Sequence, residues 1–199
     1  MENKQSNLIT ISSKFYMDYT LNMLTSLKNL GLDNKINTYC LDNDSYKEIS
    51  SNGFNAEEVK IDFDIVKNPT HYGTKDFNIF MYYKVKVIKS ELKNNKFVTY
   101  TDGDVVFKKT FSIDQSFNDV LKFEGFKPAK PMPVGQWWEG ARAYCLKPEG
   151  AKKSINFVKT QGAMPADWCL NSGILDVVFD KSNKVTFDQK KFSFTKDLK

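Results

Sequence analysis

Phe97–Val98–Thr99–Tyr100–Thr101–Asp102–Gly103–Asp104–Val105–Val106–Phe107 is the stretch whose reading decides the fold. Its β-branched and aromatic residues predict a buried strand. The run stops at two carboxylates spaced by a glycine, then turns apolar again. Two acids at the end of a core strand repel each other unless something positive lies between them. A hard divalent cation meets that need, because it takes oxygen ligands and holds a phosphate at the same time. The competing reading is a plain turn: Asp-Gly between apolar residues is a strong hairpin signal, with both central residues at positive φ. This stretch alone leaves the two readings level, and the surrounding chain has to separate them.

Upstream, a helix is predicted from about Lys75 to Leu92, with Thr74 as N-cap. Its apolar stripe is Phe77, Phe80, Met81, Val87, Ile88 and Leu92, and Lys84 falls inside the stripe, four residues from both Phe80 and Ile88. A lysine there either extends its head past the apolar edge to water or meets an anion. Further back, Leu8–Ile11, Lys35–Leu41 and Glu58–Phe63 read as strands. Between them, Met17, Leu21, Leu24 and Leu27 keep helical spacing up to a left-handed C-cap at Gly31, and Ser45–Ser51 forms a short helix stopped by Gly53. This alternation predicts an α/β fold: a Rossmann-like, mostly parallel central sheet flanked by helices, joined by right-handed crossovers. Ligands of such sheets bind beyond the carboxyl ends of the strands. Thr10, Ser12 and Asp42 lie at those ends, where each, taken alone, reads first as a loop residue capping a helix.

Downstream, Phe111–Phe126 is expected to hold a short helix capped by Asp114 or Ser116. Lys127–Gly140 carries Pro128, Pro131 and Pro133 with Trp137 and Trp138, so it is neither helix nor central strand. The adjacent tryptophans, Trp137 and Trp138, suit an aromatic platform for a sugar or similar flat apolar face, or a hydrophobic lid over the sheet. Ala141–Leu146 reads as a strand carrying Arg142, and Pro148 and Glu149 open a helix to about Lys159. Gly162–Pro165 is a turn, after which Asp167 is placed to cap a short helix. Asn171-Ser172-Gly173 is a polar break in an apolar segment and needs a partner if buried. Val185–Lys199 reads as an edge strand and tail.

At 199 residues, 41% of them hydrophobic and 14% aromatic, the chain suits one packed domain over residues 1–199. Two parts are expected within it, residues 1–110 with the alternating strands and helices and residues 111–199 after the acidic turn. The net charge of +5 is carried almost wholly by lysines scattered along the chain, with Arg142 the sole arginine. That pattern argues against nucleic acid, which is usually met by arginine forks and clustered basic patches. No apolar run approaches the roughly 18 residues of a membrane span, and the polar start is no signal peptide, so a soluble, cytoplasmic protein is expected. Cys40, Cys145 and Cys169 are odd in number and widely spaced, which disfavours a disulfide framework or zinc site. His71 is the only histidine, so histidine-rich metal sites are excluded.

A strand-end Asp-x-Asp beside a nucleotide-sized crevice suits diphosphate binding through Mn²⁺ or Mg²⁺, with Lys84 and Arg142 adding positive charge to a departing diphosphate. In this arrangement the chain resembles the nucleotide-diphospho-sugar transferases of the GT-A glycosyltransferase fold, in particular the Asp-x-Asp family that includes small glycosyltransferases of large DNA viruses. Three segments carry the resemblance: Phe15–Asp44, with Ser26-Leu27-Lys28-Asn29-Leu30-Gly31 before a strand closing on Leu41-Asp42; Met81–Phe107, leading to Asp102-Gly103-Asp104; and Asp167–Leu175. It implies that Asp102 and Asp104 bind the metal and the nucleotide sugar, and that Thr10, Ser12 and Asp42 line the nucleoside pocket. It also implies that Lys84 contacts the nucleotide, that Asp167 and Trp168 lie near the transferred sugar, and that Asn171 belongs to the same donor-binding segment. The donor would be a nucleotide-diphosphate sugar, with UDP the expected nucleotide, and the acceptor a glycan or protein. A viral enzyme of this kind would work in the host cytoplasm. Inversion would need a carboxylate base, for which Asp167 and Glu139 are the candidates; related Asp-x-Asp families often retain, and the resemblance implies retention. Many such enzymes draw a third metal ligand, often His, from late in the chain, whereas His71 precedes the motif.

Two other readings stand beside it. Asp102-x-Asp104-x-Val106 also fits the nucleophile motif of haloacid-dehalogenase-like phosphatases, although those carry it on their first strand and need a later acidic pair. A catalytically inactive nucleotide-sugar-binding module is the third.

Overall fold

Leu8, Ile9 and Ile11 are all buried, because β1 (Asn7–Ser12) is apolar towards both of its faces. That is what a strand covered by helices on both sides requires. The computed structural model describes residues 7–61, 74–110, 118–123, 130–131, 136–137, 143–161, 170–179 and 185–186. After β1 come α1 (Met17–Lys28), a 3₁₀ turn (Asp33–Lys35), β2 (Ile36–Cys40), α2 (Asn43–Ser51), β3 (Ala56–Glu58) and α3 (Lys75–Glu91). Then follow β4 (Val98–Thr101), β5 (Val106–Phe107), β6 (Val120–Lys122), β7 (Lys130–Pro131), β8 (Gln136–Trp137), β9 (Ala143–Leu146), α4 (Pro148–Gln161), β10 (Val177–Phe179) and β11 (Val185–Thr186).

Seven strands form one sheet in the order β10-β6-β9-β4-β1-β2-β3. β3, β2, β1 and β4 run parallel, β9 runs against both β4 and β6, and β6 and β10 are parallel. One face is closed by α1 and α2 through Met23, Leu24, Leu27 and Ile49, packed on Leu8, Ile36 and Cys40. The other is closed by α3 through Tyr83, Val87 and Ile88, packed on Ile9, Ile11, Val98 and Tyr100, with Ala151 of α4 alongside. Gly31 (φ 68°) ends the turn after α1 and Gly53 (φ 81°) the turn after α2, both at positions predicted for them.

Three expectations need correction. The third strand is Ala56–Glu58, not Glu58–Phe63; it stops once Val59 has donated its N–H to the Cys40 carbonyl, and residues 62–73 lie outside the described residues. Within 111–126, where a short helix was expected, Val120–Lys122 is a central strand with every residue buried, and the proposed caps Asp114 and Ser116 lie outside the described residues. β10 had no counterpart in the sequence reading. Of the Pro/Trp stretch the structure describes β7 and β8, which among the described residues pair with each other and not with the main sheet.

The hairpin reading of Asp102-Gly103 also fails. β4 pairs with β1 and β9, while β5 turns away to pair with β11. Among the described residues the positive-φ glycines are Gly31 and Gly53, not Gly103. Gly103 is needed for a different reason: a Cβ there would come 2.6 Å from Thr20 Oγ1 and 3.3 Å from Thr20 Cα, in the first turn of α1.

A buried lysine meets the first acid of the motif

Strand alternation puts Tyr100 and Asp102 on the same side of β4, the side covered by α3. Helical spacing turns Lys84 to the same place. Lys84 is 4% exposed, and its ammonium lies 3.0 Å from Asp102 Oδ1 and 4.1 Å from the centre of the Tyr100 ring. Of the two fates open to a lysine in an apolar stripe, this is the meeting with an anion. The Tyr100 hydroxyl donates to the same Oδ1 at 2.6 Å. Burial, and then the neighbouring Asp102 carboxylate, hold the Tyr100 phenol well above its ordinary range, so it stays a donor. Both donors therefore meet one oxygen of Asp102, whose side chain remains 32% exposed. Asp104, exposed, follows one residue past the glycine.

The turn is seated on α1. Thr20 Oγ1 lies 2.9 Å from Ser12 Oγ, and Thr20 also donates to the Tyr16 carbonyl, so the end of β1, the start of α1 and the acidic turn form one unit. Ser12 is fully buried in it. Asp42, at the end of β2, accepts from Ser45 N at 2.8 Å and from Lys14 N at 2.7 Å: it caps α2 and ties the β1 and β2 ends together. Thr10 is fully buried, as is Thr38 opposite it on β2, and neither hydroxyl has a hydrogen-bond partner. Thr10 thus offers no exposed surface in this conformation. Tyr16 and Phe80, both half-buried, bring their rings to 4.9 Å across the carboxyl edge of the sheet, one from the start of α1 and one from α3.

Asn171 is fully buried; its Oδ1 accepts from Gly173 N at 2.8 Å, and its carbonyl accepts from Leu175 N. The partner demanded by that polar break is thus at least partly the chain's own turn. Glu139, Arg142, Trp138, Asp167 and Trp168 lie outside the described residues, as does His71, and of Trp137 only its backbone place on β8 is described. Burial raises the Cys40 and Cys145 thiols to about 12, which removes both as thiolate nucleophiles or ligands near neutral pH. Among the described residues no group of three or more His, Cys, Asp or Glu gathers. In kind, the Asp102 and Asp104 oxygens fit a hard divalent cation; they supply part of the six or more ligands such an ion takes.

Sequence reading missed Tyr100 and Thr20. Tyr100 carried a signal, since it stands two residues before Asp102 and must share its face. Thr20 carried none, because its role rests on the approach of Gly103.

A mostly parallel α/β sheet whose order reverses between β1 and β4, with a paired acid at that reversal, is the arrangement of a nucleotide-binding fold. The model of the nucleotide-diphospho-sugar transferases matches residues 31–173, and the chain belongs to that family of glycosyltransferases. Among solved structures, an active-site variant of LgtC is similar at 14% identity and TM-score 0.58, covering 87% of this chain and 72% of that one. LgtC, a galactosyltransferase, solved with donor and acceptor sugar analogues gives 13% identity and TM-score 0.55 over the same shares. The apo-form glycosyltransferase GlyE of Streptococcus pneumoniae TIGR4 gives 13% and 0.52, over 88% of this chain and 45% of that one. At these identities the likeness is one of fold, and the fold is GT-A. No curated protein matches. The motif sits on the fourth strand of a GT-A sheet, so the phosphatase reading falls. Among the described residues no helix is long and apolar enough to cross a membrane.

Proposed function

We propose that the chain is a metal-dependent glycosyltransferase that moves a hexose from a uridine-diphosphate sugar to a glycan or protein acceptor, with retention. The observation that carries this reading is Asp102, held at the end of β4 by Lys84 and Tyr100 on one oxygen and open to solvent on its remaining surface. Mn²⁺ or Mg²⁺, held by Asp102 and Asp104, would supply a Lewis acid for the charge that develops on the departing diphosphate. The chain's own part is positional. Lys84 keeps a fixed cation beside that charge in a setting of low dielectric, where it counts for more than in water. Tyr100 fixes the rotamer of Asp102, and Gly103 lets the turn lie against α1. Tyr16 and Phe80 offer aromatic faces at the same edge for a base. In this reading Asp42 stands at the nucleoside end, with Ser12 and Thr10 buried in the sheet beside it, and Arg142, Trp168 and Asn171 serve the donor. Trp137 and Trp138 serve the acceptor, and Asp167 and Glu139 are the carboxylates nearest the chemistry.

The test is slow hydrolysis of a panel of UDP-, GDP- and dTDP-sugars with Mn²⁺, reading the anomer released by proton NMR. Turnover of a UDP-hexose with the donor's anomeric configuration kept is expected. Release of phosphate from an aryl phosphate, with no sugar nucleotide consumed, would overturn the reading. An inactive binding module would bind UDP-hexose and consume none.

A further inference from the structure

The two faces of the sheet are covered by helices of unlike surface. α1 and α2, on one face, expose Asp18, Asp44 and Glu48 with Lys28 and Lys47, and neither helix exposes a large apolar side chain. α3 and α4, on the other face, expose six lysines against one acid, Glu149. They also carry three of the four large apolar side chains exposed among the described residues: Tyr82 at 56%, Val85 at 54% and Ile155 at 37%.

The pattern repeats on both helices. Tyr82, Val85 and Lys89 stand at i, i+3 and i+7 on α3, and Lys152, Ile155 and Lys159 keep the same spacing on α4, so each trio shares one outward stripe. Lys75 and Lys86 fall on the α3 stripe as well, one of them two turns before Tyr82 and the other one turn after it. The Lys86 ammonium lies 6.0 Å from the centre of the Tyr82 ring. Lys75, Lys89, Lys152 and Lys159 form no ion pair among the described residues.

Lysines with apolar side chains set between them fit one kind of partner best. Protein interfaces are depleted of lysine and enriched in arginine, and nucleic acids are likewise met by arginine forks. Every cation on α3 and α4 is a lysine. At a bilayer surface, lysine stems lie along the acyl boundary while their ammoniums reach the headgroups, and aromatic and branched side chains enter between them. Lysines clustered on an amphipathic helix attract anionic lipid over about a Debye length. We infer that α3 and α4 form a docking face for an anionic membrane surface, to which the protein attaches peripherally, whatever nucleotide its site binds. Lys84 leaves α3 on its buried side, so a bilayer against the outer side leaves Asp102 uncovered.

Sedimentation with vesicles tests this, using phosphatidylcholine alone and phosphatidylcholine mixed with phosphatidylserine. The unaltered protein is expected to pellet with the mixed vesicles only, and to be released as salt is raised. Lys89→Gln/Lys159→Gln should weaken binding about 25-fold, about fivefold for each charge removed near an anionic surface. Tyr82→Ser/Val85→Ser should weaken it several-fold with the charge unchanged. All four positions are exposed, so both variants should melt close to the unaltered protein. No pelleting with the mixed vesicles overturns the inference, as does binding that either variant leaves unchanged. Retention on heparin by a protein that ignores the vesicles would mark a surface for a soluble polyanion in place of a membrane, and overturns it too.

Discussion

Two lysine–aspartate pairs in this molecule are built in opposite senses. In the Lys84–Asp102 pair the cation is buried and the acid half-open, with side-chain exposures of 5% and 32%. In the Lys153–Asp119 pair the acid is buried and the cation open, at 2% and 52%. Asp119 is fully committed to the fold. Its Oδ2 accepts from Lys153 Nζ at 2.6 Å and from Asp176 N at 2.8 Å, and its carbonyl accepts from Lys147 N. A Cβ on Gly150 would come 2.6 Å from that same carbonyl. Asp119 thus staples the start of β6 to α4 and to the entry of β10. Asp102 spends one oxygen on its neighbours and turns the rest outward. A closed acid holds a fold together; an acid fixed on one oxygen and exposed beyond it is prepared for a ligand.

The largest expected effect comes from removing the exposed member of the first pair. Asp102→Ala leaves Lys84 buried without its carboxylate and should cost about 3–5 kcal/mol in urea unfolding. The double variant Lys84→Met/Asp102→Ala should recover most of that; a single variant as stable as the unaltered protein would show the ion pair to be incidental. In the second pair the costly removal is the cation. Lys153→Met strands a buried acid that keeps only its amide bond from Asp176, and should cost about 2–3 kcal/mol. Asp119→Asn, which leaves an acceptor for that amide and a hydrated lysine, should cost about 1 kcal/mol. The reverse order would refute the contrast. Gly103→Ala should destabilise by about 1–3 kcal/mol through its clash with Thr20, as an overfilled contact does, and Thr20→Ser, which keeps the hydroxyl and backbone in place, should not relieve it.

The smallest effect is in the pH dependence. Burial alone would raise the Asp119 carboxyl, but the Asp176 amide and Lys153 together hold it below the ordinary carboxylate value. A folded-state value below the unfolded one means that Asp119 stabilises above about pH 4 and that this contribution is lost as the pH falls through the depressed value. Lys153→Met should therefore move the acid-unfolding midpoint to higher pH, read by circular dichroism. An unmoved midpoint would mean that the amide alone sets the carboxyl.

The parallel half of the sheet was legible because its signals are local. Strand and helix periods alternate cleanly from β1 to β4, the helix caps fall where Gly31, Thr74 and Asp42 place them, and Lys84 sits visibly in an apolar stripe. Asp42 serves as the cap that was one of its two readings. The antiparallel half was less legible. β6 carries a lysine inside a three-residue buried strand, so its pattern is neither alternating nor fully apolar, and β10 is equally short. What no periodicity encodes is the meeting of distant residues: Gly103 against Thr20, and Asp119 between Lys153 and Asp176.

The central claim is that the turn at the end of β4 binds a divalent cation together with a nucleoside diphosphate. Titrating UDP by calorimetry into the unaltered protein and into Asp104→Ala, each with Mn²⁺ and with EDTA, tests it most directly. The account predicts binding only for the unaltered protein with Mn²⁺, and a melting temperature for Asp104→Ala that is unchanged or slightly raised, since a like charge has been removed. Equal binding in Mn²⁺ and EDTA, or full binding by Asp104→Ala, would contradict it.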